Sequence, residues 1–354
     1  MLETTMPVVA LSSMMSVRSP GMIVGPIASL LGVVYNMLFN SINGAATAGS
    51  LGIAIILFTL LVKLVLFPLM LHQQKSMVKM QMLQPEINKI KAKYAGRTDT
   101  ESQQKMAYEM QEFQQKNGIS MMSGCLPLLI QLPILYALFY IFQNAYIYVD
   151  AIGQNYTQIA NVITSIPVDL RMEAFGSYAQ VFVDTYEKYL SNMNVTFDMA
   201  DTNCVIMLVN SLKAADWNQI LSTLGSAGDS LLPLLETKNS VEVFCGINLV
   251  NNCSLTNISV VIPILAALTT FLQTKVMNAT NKKSQAGSGS DMEASMNMMN
   301  KYMTYFMPIM MGVFCFGLPA ALGVYWSISN IFGMLQYVLL KKYFTKKWEG
   351  EKQK

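Results

Sequence analysis

Apolar positions in this chain gather into long runs, separated by stretches in which polar residues dominate. The first clear run is Leu51–Leu71 (LGIAIILFTLLVKLVLFPLML), interrupted only by Thr59 and Lys63. Others follow at Leu126–Tyr148, Ile258–Thr274, Met303–Gly317 and Leu318–Leu340, the last two joined at Gly317-Leu318-Pro319. Crossing the hydrocarbon core takes about 20 residues of apolar helix. Each run therefore predicts a membrane span, the third and fourth being short. Upstream, Met22–Asn40 carries no charge, but Gly25-Pro26 and Gly32 interrupt it. That stretch suits either a short span or a helix lying in the interface, and the division below takes it as interfacial.

The polar stretches have their own periodicity. Between His72 and Asn117, Leu83, Ile87, Ile90 and Tyr94 recur at helical spacing, as do Met106, Met110 and Phe113. Ala95-Gly96-Arg97 supplies a turn, and Thr98 followed by Glu101 has the form of a capping box. A helical hairpin is expected, its two helices paired over the membrane surface. In Val149–Asn257, apolar and acidic stretches alternate (Tyr178–Leu190, Val205–Lys213, Leu231–Leu235), which predicts a small helical subdomain. Gln285–Ser290 (QAGSGS) reads as a flexible linker.

The expected fold is an all-α membrane protein with five transmembrane helices. Its division is 1–50, the N-terminal segment with an interfacial helix; 51–71, the first span; 72–117, the hairpin; and 118–148, the second span. An acidic region at 149–257 follows, then the third span at 258–277, a loop at 278–300, the fourth and fifth spans at 301–317 and 318–340, and a basic tail at 341–354.

Composition supports the membrane assignment: 13% of residues are charged, against about 25% in soluble domains. The net charge of +3 is small, but its distribution is uneven. His72–Asn117 holds eight Lys/Arg and Lys341–Lys354 six lysines, whereas the 109 residues Val149–Asn257 hold four Lys/Arg against eleven Asp/Glu. Excess Lys/Arg marks cytoplasmic loops. The hairpin and tail are thus expected in the cytoplasm and the acidic region outside. Five spans then put the N-terminus outside and the C-terminus inside. The start of the chain has no basic stretch leading into an apolar core, so no cleavable leader is expected.

Lys63 is the main chemical feature. An ammonium at the middle of a span costs about 2.5–3.5 kcal/mol on insertion scales, and ionisable groups at that depth usually face a bundle interior or a wet cavity. Snorkelling is the simpler reading. However, the eight residues to Leu71 cover about 12 Å of helix at 1.5 Å each, more than a lysine stem reaches. Further polar groups interrupt the runs: Gln131, Gln273, Trp326, Ser327, Ser329, Asn330 and Gln336. They serve either as interhelical hydrogen-bonding groups or as the lining of one polar concavity with Lys63. Trp326, Asn330 and Gly333 share a helix face.

Several function classes are disfavoured. No span holds Asp or Glu, which argues against proton coupling through an acidic relay. The single histidine, His72, has no second histidine for a metal site, and no phosphate loop is present. No enzyme activity, cofactor or metal is expected. Cys125 and Cys315 sit in apolar runs as small hydrophobes. Cys204, Cys245 and Cys253 lie in the acidic region, where Cys245 and Cys253 are close enough in sequence to bridge.

The blocks IILFTLLVKLVLFPL, MLQPEINKIKAKY, GCLPLLIQLPILYALF, LTTFLQ and MTYFMPIMMGVFCFGLPAALGVYWSISNIF resemble the YidC family of membrane protein insertases, which includes mitochondrial and chloroplast members. The resemblance implies a groove open to cytoplasm and lipid but closed toward the outside, an interfacial N-terminal helix and a mobile hairpin. Lys63 takes the place of the groove's usual arginine. Gln273 and Trp326 match polar and aromatic groove positions, and Gln131 and Asn330 lie in the same blocks. Leu83, Gln84 and Pro85 belong to the hairpin motif. Lysine keeps the charge but lacks the planar fork of arginine. Two further departures are Ile119-Ser120-Met121, where the family often has Asn-Pro, and the long acidic region.

The implied function is insertion of nascent membrane proteins in a bacterial plasma membrane, with no covalent step. The resemblance allows the ribosome and the Sec translocon as partners. Lys341, Lys342, Lys346 and Lys347 suit ribosomal RNA or anionic lipid equally. A channel or small-solute transporter with an anion site at Lys63 is the alternative. A folding factor that does not insert is a third reading.

Overall fold

The computed structural model describes residues 21–42, 47–97, 99–118, 126–192, 194–278, 298 and 301–352. Helices α1 (Gly21–Ser41), α2 (Ser50–Val65), α3 (Phe67–Met82), α4 (Gln84–Lys93), α5 (Thr100–Lys116), α6 (Leu126–Gln143) and the short α7 (Ala145–Tyr148) come first. Helices α8 (Asp150–Ser165), α9 (Val168–Asn192), α10 (Thr202–Ser211), α11 (Ala214–Leu224) and α12 (Leu232–Glu242) lead into a hairpin of β1 (Val243–Phe244) and β2 (Ile247–Asn248). Helices α13 (Val261–Asn278), α14 (Met307–Cys315) and α15 (Ala320–Lys352) follow. The fold is almost wholly helical. Its described residues fall into two compact units, one within Met1–Phe58, Pro133–Ser259 and Leu318–Leu322, the other within Thr59–Leu132, Val260–Gly317 and Gly323–Lys354.

The first unit is built around α10. Cys204 to Val209 are all buried, as expected of a helix that is apolar all round and central to its packing. Helix α8 lays Ile152, Tyr156, Ile159, Ala160 and Ile163 into the same core. Helix α1 buries Ala28, Tyr35 and Phe39 on one face and exposes Leu30, Val33 and Met37 on the other. The Tyr35 ring meets Phe58 and Phe142 edge-on, and its hydroxyl donates to the Leu51 carbonyl at 3.2 Å. Asn36 donates to Asp150 Oδ2 at 2.7 Å and ties α1 to the start of α8. The interruptions expected at Gly25-Pro26 and Gly32 do not break α1, which runs for 21 residues with Pro26 inside it.

A buried ion pair closes this core. Lys238 Nζ lies 2.7 Å from Glu242 Oε2, with side-chain exposures of 7% and 1%. Tyr156 donates to Glu242 Oε1 at 2.6 Å and Asn248 to Oε2 at 3.1 Å. The β-hairpin turns through Cys245 and Gly246, both with positive φ. This is the two-residue turn whose twist suits a hairpin. Cys204, Cys245 and Cys253 form no disulfide; Cys245 is exposed and Cys253 buried. A bridge between the last two is therefore not made.

In the second unit, α13 and α14 pack closely. A Cβ on Gly312 would sit 3.1 Å from Ala267 Cβ, the small-residue contact that lets membrane helices approach. Ile309, Val313 and Phe314 on α14 are exposed. Helices α4 and α5 form the expected hairpin, with Ile87, Ile90 and Met106 buried and Lys93 paired to Glu109. The cap of α5 is Asp99, which accepts from Ser102 N at 2.8 Å, rather than the expected Thr98, which lies outside the described residues. A carboxylate there also meets the positive end of the helix dipole.

By length and composition, two described helices suffice to cross a membrane, Val24–Ser41 and Ile258–Met277, and a third if α2 and α3 count as one bent span. The run Leu51–Leu71 is not one straight helix: the chain bends by 63° between α2 and α3. Pro68 in the first turn of α3 has no N–H to continue the ladder of α2. Tyr302–Cys315 is a shorter apolar helix, opening with a π-turn at Tyr302–Phe306. Helix α15 runs 33 residues through the expected fifth span into the tail. The linker Gln285–Ser290, Cys125 and Ile119–Met121 lie outside the described residues.

Candidate functional site

Polar groups of the second unit meet in three places. The first is the crossing of α13 and α15. On α13, Thr269, Thr270 and Gln273 share one face at helical spacing. Trp326 Nε1 donates to Thr270 Oγ1 at 2.9 Å. Asn330 satisfies its neighbours when its amide nitrogen donates to Gln273 Oε1 (2.9 Å) and its oxygen accepts from Trp326 Nε1 (3.1 Å). Reversed, the amide would set two donors against each other. Gly333 makes room: a Cβ there would lie 2.6 Å from Gln273 Nε2.

The second place is Gln131, which donates to the hydroxyl of buried Tyr325 at 2.8 Å. In the third, the Tyr337 hydroxyl lies 3.0 Å from Gln81 Oε1, and Gln81 Nε2 donates to the Met277 carbonyl at 3.3 Å. This network joins α3 to the end of α13 and the middle of α15.

Lys63 and Gln336 are buried and stand apart from these clusters. Lys63 is 6% exposed and pairs with no carboxylate among the described residues. No hydrogen bond links it to Gln131, Gln273, Trp326 or Asn330. Gln336 is 4% exposed, and both ends of its amide lack a partner among the described residues. It shares a face of α15 with Tyr325 and Ser329, at spacings of eleven and seven residues. Each unpaired buried polar group costs about 1–3 kcal/mol.

The other expected site residues are placed separately. Leu83 joins α3 to α4, Pro85 sits in the first turn of α4, and Gln84 donates to Asn88 Oδ1 at 3.2 Å. None of the three is hydrogen-bonded to the clusters. Lys341 lies 5.7 Å from the Tyr337 ring centroid, while Lys342, Lys346 and Lys347 are exposed on the continuation of α15. No group of His, Cys, Asp or Glu among the described residues is placed to hold a metal ion. Thr269, Thr270, Tyr325 and Tyr337 were not singled out as site residues from the sequence. The face that the threonines share with Gln273 was the available signal; the partners of the tyrosines had none.

Apolar helices with exposed hydrocarbon faces and polar groups packed between them define an all-α membrane protein. The chain belongs to the family described as 60Kd inner membrane protein, whose model matches residues 43–347. It is 28% identical over 305 residues to the membrane protein insertase YidC of Oceanobacillus iheyensis, covering 86% of this chain and 79% of that one. It is 27% identical over 290 residues to membrane protein insertase YidC 2 of Bacillus anthracis, covering 82% and 71%. Over a shorter stretch of 127 residues, 34% of this chain and half of its relative, it is 42% identical to the YidC insertase of Clostridium perfringens.

Proposed function

We propose that this chain is a membrane protein insertase of a bacterial plasma membrane. In this reading it has five spans, its N-terminus outside and its C-terminus in the cytoplasm. The spans are α2 with the start of α3, then α6, α13, the π-turn with α14, and the first part of α15, with α1 along the interface. Lys63, Gln131, Gln273, Trp326 and Asn330 line a groove between them. The observation that carries the reading is a buried ammonium without a carboxylate partner among the described residues, in a family whose relatives are named insertases. An unpaired charge at mid-membrane persists where water or a ligand reaches it, and the unpaired amide of Gln336 makes the same demand.

The mechanism is physical. A short extracytoplasmic segment of a nascent protein enters the groove from the cytoplasm, where water and the Lys63 ammonium lower the cost of carrying polar groups inward. The client's apolar segment then leaves sideways into lipid. Burying each large apolar side chain contributes about 1.5–3 kcal/mol, enough over a span to drive the step without nucleotide. The hairpin and the tail lysines meet the client, anionic lipid or a ribosome on the cytoplasmic face, and a Sec translocon is a further partner. The names of the relatives do not favour a channel.

The reading is tested with a photoreactive residue at Gln273 or Trp326, compared with one at the exposed Ile309. A ribosome-bound client, halted as its first polar segment reaches the membrane, should cross-link through that segment at 273 and 326 and not at 309. Equal adducts at all three positions would remove the groove.

A further inference from the structure

The first unit holds a cleft of about 930 Å³, near the top of the roughly 300–1,000 Å³ range of ligand sites. Its wall is unusually rich in amides, including Gln143, Asn210, Asn248, Asn251, Asn252 and Asn257, and Lys213 is the one charged residue among the described residues that line it. Two of these amides have hydrogen-bonding capacity to offer. Among the described residues, Asn210 uses only its Nδ2, toward the Gln143 carbonyl at 3.1 Å. Asn257 uses only its Oδ1, toward Ser259. The rings of Tyr146, Phe182 and Tyr186 complete the wall.

We propose that this cleft binds an extended, uncharged or acidic stretch of polypeptide by its main chain. A peptide backbone presents one donor and one acceptor per residue, and an Asn or Gln side chain presents both. A wall of amides therefore matches a backbone of any sequence, while the three rings hold apolar side chains. The wall's amides already make such pairings, Asn248 Oδ1 accepting from Val250 N at 3.0 Å and from Asn251 N at 3.1 Å. Beside them the main chain at 249–252 pairs with another main-chain segment, Leu249 O and Asn251 O accepting from Ala321 N and Ala320 N, both at 2.9 Å, and Asn252 bridging Pro319.

Position supports the same occupant. Gln143 ends α6, Ser259 leads into α13 and Pro319 leads into α15, and all three line the cleft. In the insertase reading, on which this part of the inference rests, those are the outer ends of three spans, where a translocated segment arrives. The cleft would then hold that segment while the rest of the client is inserted.

Binding is read without insertion, so that the two readings fail separately. The full chain in lipid nanodiscs is titrated with a fluorescent uncharged peptide of Ser, Thr and Ala, about six residues long and roughly 20 Å when extended. A neutral oligosaccharide of similar volume is added as competitor. Saturable peptide binding that the sugar does not displace is expected. Asn251→Leu, which removes a side chain that makes no hydrogen bond among the described residues, should weaken it at least tenfold, and Asn210→Leu likewise. Lys213→Glu should weaken an Asp-containing version of the peptide more than the neutral one. No saturable binding, binding unchanged by Asn251→Leu, or displacement by the sugar overturns the proposal. Peptide binding by a chain that fails to insert clients would leave the cleft standing and remove the insertase reading instead.

Discussion

Lys238 and Lys63 are both almost fully buried, and their surroundings set opposite expectations. Lys238 has Glu242 at 2.7 Å, and that carboxylate also accepts from Tyr156 and Asn248. Removing one partner of such a pair costs about 3–5 kcal/mol, whereas replacing both by apolar residues often restores stability. Lys238→Met or Glu242→Leu alone should lower the thermal midpoint of the first unit markedly. The double variant should recover most of the loss in the same melting experiment. Lys63 has no such partner among the described residues, so its charge is left to act on something that arrives. A carboxylate about 8 Å away gains about 2 kcal/mol at an effective dielectric near 20, roughly a thirtyfold effect. Lys63 was legible in the sequence because one charge in an apolar run stands out. The partners of Trp326 and Asn330 were not, because contacts across helices leave no trace in spacing.

The hairpin of α4 and α5 followed from apolar periodicity and a turn signal between its helices, but the ties that close it are polar. Glu109 is held below the usual carboxylate range, first by its hydrogen bond to Lys93, and Tyr94 donates to it at 3.1 Å. Ser102 likewise holds Asp99 low at the helix cap. Depressed carboxyl groups stabilise the fold above their unfolded values, near 4, and that contribution is lost as pH falls through the folded ones. Hydrogen exchange should therefore show α4 and α5 loosening together below about pH 4 and unchanged between pH 6 and 8. Glu109→Gln should remove most of that acid dependence. Other elements resisted reading for physical reasons. Strands of two residues are too short for alternation to register. The 63° bend at the end of α2 comes from a proline inside an otherwise continuous apolar run.

Family and helical class were legible from long sequence blocks, and the expected orientation from the lysine-rich and acidic stretches. The packing of the acidic region was not, because its helices bury their faces on one another through contacts distant in sequence. The expected topology can be checked with cysteines already present. Cys245 is exposed, whereas Cys253 is buried and its thiol pushed up to about 11, which leaves it largely protonated and slow to react near pH 7.5. A membrane-impermeant maleimide should label intact cells in a way that Cys245→Ser abolishes. A cysteine at Lys347 should react only after the membrane is opened. Labelling of the Lys347→Cys variant in intact cells would invert the orientation.

Insertion itself remains the deciding observation. Purified chain alone is placed in liposomes and given a small membrane protein with an acidic extracytoplasmic segment. Protection of that segment from added protease is then followed over time. Wild type and Lys63→Arg should both insert it, and Lys63→Ala should be slower by roughly ten- to thirtyfold, with little loss for a client whose segment is neutral. Insertion by Lys63→Ala at the wild-type rate, or none by wild type above empty liposomes, would contradict a charged groove that carries clients inward.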